Sequence, residues 1–180
     1  KADKQDSALL IARKMNQLAL NEQTDTSYWY ALSMRYIGNP HETWGNFDST
    51  KYFWKLSVDL FEKYHPESPD YAASINNLGI LYKEMGEYNA AEPILKEALA
   101  IRKNALGEDH PDYARSLNNL GYLFSLQGKY DSSLVLLKKA IDILLTQGKD
   151  SALLIDEFHS LAFVFNKSGN YLNAEEYYLK

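Results

Sequence analysis

The side chains best able to do chemistry are four histidines, His41, His65, His110 and His159, among 24 acidic residues. Imidazoles beside carboxylates can relay protons or hold zinc. The spacing supports neither use. His65 and His110 each stand directly before a proline, which points to a structural role in turns. The acidic residues are scattered along helical surfaces and at caps, the pattern of solvated faces. There is no Gly-rich loop ending in Lys-Ser or Lys-Thr, no His-Glu-x-x-His and no Gly-x-Ser-x-Gly. The absence of cysteine excludes disulfides, thiol catalysis and cysteine metal sites. The expectation is therefore a chain with no catalytic residues, no metal and no cofactor.

The bulk composition narrows the class further. The 180 residues are 46% hydrophobic and 24% charged, enough apolar surface for a packed core. A net charge of −5 without a long run of either sign disfavours nucleic acid, whose binding needs clustered Lys and Arg. No apolar run approaches the roughly 18 residues that a membrane span requires. The sequence opens on Lys1 rather than methionine, which leaves a removed signal peptide, a cropped start and a larger parent protein open. Lys180 falls within the second helix of a repeat, so either further repeats were cut away or the last helix is a short stub. Cytoplasmic residence is the default reading, with an exported or periplasmic location as the alternative.

Helical periodicity governs the whole chain. Leu9, Leu10, Ala12, Met15, Leu18 and Ala19 form an apolar stripe that predicts a leading helix over Asp3 to Asn21. A second helix is expected from Asp25 to Ile37, stopped by Gly38-Asn39-Pro40, and a connection containing His41 and Trp44 then leads to a helix from Asp48 to Tyr64. Beyond the break at His65-Pro66-Glu67-Ser68-Pro69 come helices at Asp70 to Met85, Tyr88 to Ala105, Asp112 to Gln127 and Tyr130 to Gln147. Gly86 and Gly128 fall in the tight turns between paired helices.

The strongest internal signal is repetition. Residues 69–110 recur as 111–152, with 16 of 42 positions identical, including Pro-Asp-Tyr-Ala at the start and Asn-Asn-Leu-Gly in the first helix. A third copy follows with its offset shortened to 41, mapping Leu120 to Leu161, Phe124 to Phe165 and Gly128 to Gly169. A unit of two amphipathic helices cannot bury its apolar face alone, so it stacks on its copies.

These residues resemble the tetratricopeptide repeat. Ile75, Leu78, Gly79 and Tyr82, then Ala91, Leu95 and Ala98, follow its alternation of large and small residues. Leu117, Leu120, Gly121, Phe124, Ser133, Leu137 and Ala140 follow it again, as do Phe158, Leu161, Ala162, Phe165, Ala174 and Tyr178. Trp29, Leu32, Ser33 and Tyr36 give a divergent upstream copy, whose second helix fits Thr50, Trp54 and Ser57 once about five residues are inserted near Asn39 to Thr43. The 42-residue length and the Gly-Glu-Asp-His-Pro-Asp-Tyr joint resemble the kinesin-light-chain-like subclass.

The resemblance implies an all-α right-handed superhelical solenoid of stacked antiparallel hairpins. It is expected to form one domain over 1–180, divided as a leading helix (1–24), a divergent repeat (25–68), two regular repeats (69–110 and 111–152) and an incomplete one (153–180). It also implies a scaffold that binds a peptide or helix of another protein in a concave groove lined by its first helices. The groove residues it picks out are Tyr30, Met34, Asn76, Ile80, Lys83, Arg115, Asn118, Tyr122, His159 and Phe163, with Ser27, Ile37, Ala73, Ser125, Asp156 and Asn166 at the other equivalent positions. The asparagines suit a peptide backbone, and Arg115 and Lys83 suit an acidic partner or a free carboxylate. Two alternatives stand beside this one: the sensing or regulatory arm of a larger signalling or protease protein, and a structural repeat that self-associates through Tyr171 to Lys180.

Overall fold

The computed structural model describes residues 26–43, 47–146 and 151–179, with Leu10 and Lys14 besides. The leading helix expected over Asp3 to Asn21 otherwise lies outside the described residues, as does Trp44. All described secondary structure is helical: α1 (Thr26–Thr43), α2 (Phe47–Tyr64), α3 (Pro69–Glu84), α4 (Tyr88–Leu106), α5 (Pro111–Leu126), α6 (Tyr130–Thr146), α7 (Ser151–Lys167) and α8 (Tyr171–Tyr178). The chain forms two compact units, Lys1–Leu81 and Tyr82–Lys180, with the division falling inside α3.

In the first unit α1 and α2 pack together through Ala31, Met34, Ile37, Trp54 and Phe61, all buried. Here the sequence expectation needs correction. Helix α1 does not stop at Ile37 but continues through Gly38, Asn39 and Pro40 to Thr43. Pro40 lacks the N–H that would bond the Tyr36 carbonyl, and side chains of α2 bond other acceptors of the same stretch. The Trp54 indole N–H donates to the Arg35 carbonyl at 3.1 Å and to Asn39 Oδ1 at 3.2 Å, and the Thr50 hydroxyl donates to the Gly38 carbonyl at 3.4 Å. Gly38 permits this approach, since a Cβ there would lie 2.3 Å from Trp54 Cδ1. The inserted residues of the divergent repeat thus lengthen a helix, while Thr50, Trp54 and Ser57 take the buried positions that the repeat pattern assigns them.

Polar staples complete this unit. The Ser57 hydroxyl donates to the Ala31 carbonyl at 2.7 Å and lies 3.1 Å from Ser74 Oγ. Asp70, in the first turn of α3, accepts from Arg35 at 2.9 Å and from the Tyr28 hydroxyl. Burial and then the neighbouring Asp70 carboxylate push the Tyr28 phenol up to about 12, so it stays protonated and keeps donating. His65 supports the same corner, with Nε2 3.1 Å from Ser27 Oγ and its ring edge-on to Tyr28.

The second unit carries the regular repeats. Leu117, Leu137, Ala140, Ile141, Leu144, Leu154, Leu161, Val164 and Ala174 form one core shared by α5, α6, α7 and α8. The hairpin turns repeat one device: Gly86, Gly128 and Gly169 adopt φ of 76°, 77° and 81°. The following N–H then reaches back to Tyr82, Phe124 and Phe165, at 2.8 Å each time, closing the helix end. His110 caps α5, its Nδ1 accepting from the Asp112 N–H at 3.1 Å ahead of Pro111 at the first helical position.

Surface carboxylates tie the helices of this unit together. Glu92 accepts from Lys96, Lys129 and Gln127, and these bonds lower its carboxyl to about 2. Glu108, held by Lys103 and Lys139, is likewise lowered to about 2.

Candidate functional site

Within the second unit a cavity of about 450 Å³ opens between the end of α3 and helices α5, α7 and α8. The periodicity of the helices builds its walls. Asn118 and Tyr122 lie one turn apart on α5, and Asp156, His159, Ser160 and Phe163 fall at helical spacing along one face of α7. Lys83 closes the α3 side and Tyr178 the α8 side. On α5 the turn that carries Tyr122 is seated by Gly121, where a Cβ would lie only 3.0 Å from Leu137 of α6.

The floor is polar and the walls are aromatic. Asn118 is 8% exposed and has no hydrogen-bonding partner among the described residues, with Oδ1 entirely occluded. A buried amide oxygen left unsatisfied costs about 1–3 kcal/mol. The rings of Tyr122 and Phe163 lie 5.2 Å apart at 48°, and His159 meets Tyr178 edge-on at 5.7 Å. Lys83 holds its ammonium 4.8 Å from the Tyr122 ring centroid and 3.0 Å from the Glu84 carboxylate. Burial, followed by the Glu84 charge, raises the Tyr122 phenol, keeping it neutral.

Five of the ten residues expected to line a groove meet here: Lys83, Asn118, Tyr122, His159 and Phe163. Arg115 does not line the cavity; it points to solvent and is held by Asp112, one turn earlier, at 2.7 Å. The other four belong to the first unit. Tyr30 is partly exposed there and Ile80 half-buried. Asn76 is buried, and Met34 packs into the core with Ile37, Phe53, Leu56 and Leu60.

Four lining residues were not among those ten: Asn119, Asp156, Ser160 and Tyr178. The groove rule had marked the position of Asp156. Nothing in it could mark Tyr178, which comes from a second helix of a pair. No metal-binding cluster of His, Cys, Asp and Glu occurs among the described residues, and no described helix is long and apolar enough to cross a membrane.

Paired helices with glycine-closed turns and a 42-residue period define an all-α repeat protein of stacked hairpins. The chain belongs to the tetratricopeptide repeat family, whose profile matches residues 45–104 and 70–146. Proteins of this family generally mediate protein–protein interaction and are generally non-catalytic scaffolds.

Solved structures share the fold. BtubC (BKLC) from P. vanneervenii superposes with a TM-score of 0.84 at 23% identity, over 98% of this chain and 71% of that one. A Podosopora anserina kinesin light chain with nearly identical TPR-like repeats superposes with a TM-score of 0.68 at 19% identity, over 98% of this chain and 92% of its own. Its Q17M form gives 0.71 at 19% identity, over 97% and 91%. No curated protein matches the chain in sequence.

Proposed function

We propose that the chain is a non-catalytic scaffold whose repeats work as one domain, and that the cavity of its second unit holds an extended peptide or helix of a partner protein. The observation that carries this reading is the Asn118 amide, 8% exposed in the cavity lining, whose Oδ1 has no hydrogen-bond partner among the described residues. A peptide group offers a matching N–H and C=O pair, and the Tyr122 and Phe163 rings supply apolar area beside it. Family membership supports a protein partner. The acidic partner expected from Arg115 and Lys83 loses its basis, because Asp112 and Glu84 already hold those cations.

The test is selection from a displayed library of random hexapeptides by the full chain and by Asn118→Ala combined with Phe163→Ala. The full chain should enrich a defined peptide set that the double variant fails to retain while keeping its helical circular dichroism. If no peptide is enriched, or if the folded double variant retains the same set, the groove reading fails.

A second reading has its own observation. Tyr171, Leu172 and Leu179 are 69%, 83% and 81% exposed at α8, an apolar surface that a second copy of the chain could cover. Light scattering from micromolar to millimolar chain tests it, and a monomer throughout excludes it.

A further inference from the structure

Building on the groove reading, we infer that the cavity selects a partner segment bearing a lysine or arginine, whose cationic side chain enters beside Asp156. The charges that line the cavity decide this. Lys83 is spent, with its ammonium 3.0 Å from the Glu84 carboxylate and above the Tyr122 ring. Asp156 is exposed on α7 and makes no hydrogen bond or ion pair among the described residues. Arg115, the basic residue of α5 in this region, is tied to Asp112 at 2.7 Å. The formal charge left over is one carboxylate, inside a cavity already holding an unpartnered buried amide.

The walls favour the same ligand. Aromatic faces attract cations, and two rings here already receive ammonium groups of the chain itself: Lys83 lies 4.8 Å from Tyr122, and Lys167, outside the cavity lining, lies 5.5 Å from Phe163. The aliphatic stem of a lysine or arginine can pack along Phe163 and Tyr178 while its head reaches the carboxylate. An acidic side chain in the same place would be desolvated next to Asp156, with Lys83 and Arg115 already paired to Glu84 and Asp112.

Titration calorimetry of the best-enriched hexapeptide against the full chain tests the inference through a cycle. Replacing the peptide's Lys or Arg with norleucine should weaken binding at least tenfold, as should Asp156→Asn. Making both changes together should weaken it no further than either alone. Asp156→Lys should reverse the preference toward a glutamate-substituted peptide. Enriched peptides that depend on Asn118 but carry no basic residue, or that tolerate norleucine or Asp156→Asn, would overturn the cationic inference and leave the groove reading intact. A library that yields no enriched peptide would overturn both.

Discussion

Arg102 of α4 donates to the Ser116 hydroxyl of α5 at 2.7 Å, and one repeat later the same two positions are held by Leu144 and Glu157. The first pair is satisfied, since the buried Arg102 also donates to the Asp112 carbonyl at 3.0 Å. In the second, Glu157 is 5% exposed and its Oε2 has no hydrogen-bond partner among the described residues. A buried carboxyl with one oxygen left without a donor is a cost that the core of the second unit carries. Replacing Glu157 with Gln should therefore raise the stability at pH 7 by about 1 kcal/mol, seen as a higher Tm. An unchanged or lower Tm would mean that the carboxylate has a stabilising role.

The same group sets a pH dependence. Burial raises the Glu157 carboxyl above its ordinary range, so the folded chain holds its proton more tightly than the unfolded chain. Its contribution is fully present below the ordinary carboxyl range and is lost as pH rises through the raised folded value. Glu92, lowered to about 2, acts in the opposite sense: its contribution is present above the ordinary range and is lost as pH falls toward 2. Thermal melts should show Glu157→Gln reducing any loss of stability on going from mildly acid to neutral pH. Glu92→Gln should reduce the loss on the acid side.

Gly38→Ala should be among the most damaging small substitutions in the first unit. Its Cβ would meet the Trp54 ring at 2.3 Å, and Trp54 is pinned by two hydrogen bonds. A loss of about 1–3 kcal/mol is expected, read as a lowered denaturation midpoint. Combining it with Trp54→Leu should cost less than the sum of the two single changes, because the clash is then removed.

Phe61→Ala is expected to cost about 3–5 kcal/mol, since Phe61 is fully buried among the residues of the first unit. Chemical denaturation followed by circular dichroism checks the value. A loss below about 1 kcal/mol would show that this core collapses around the gap.

Most of the fold could be read from the sequence because repetition and helical period both act locally. Residue types alone mark Gly86 and Gly128 as turn positions, and the five helices between Phe47 and Thr146 lie within about two residues of their expected limits. The run of α1 past Gly38 and Pro40 could not be read this way. It depends on Trp54 and Thr50 arriving from another helix to bond the Arg35 and Gly38 carbonyls in the stretch around the proline.

The cavity was legible in part for a similar reason. The family resemblance assigns Asn118, Tyr122, His159 and Phe163 to the helix faces that meet there, whereas Tyr178 arrives only through the packing of α8. The pairing of Arg115 with Asp112, three residues apart on one helix, was a local signal that the groove pattern overrode.

The most direct measurement is an NMR titration of the isotope-labelled 20.6 kDa chain with the hexapeptide it selects. The side-chain amide of Asn118 should shift on binding, together with the ring resonances of Tyr122 and Phe163, and the shifts should saturate with a single affinity. If Asn118 stays unmoved while the shifts gather on the exposed face of α8, the cavity is not the binding site.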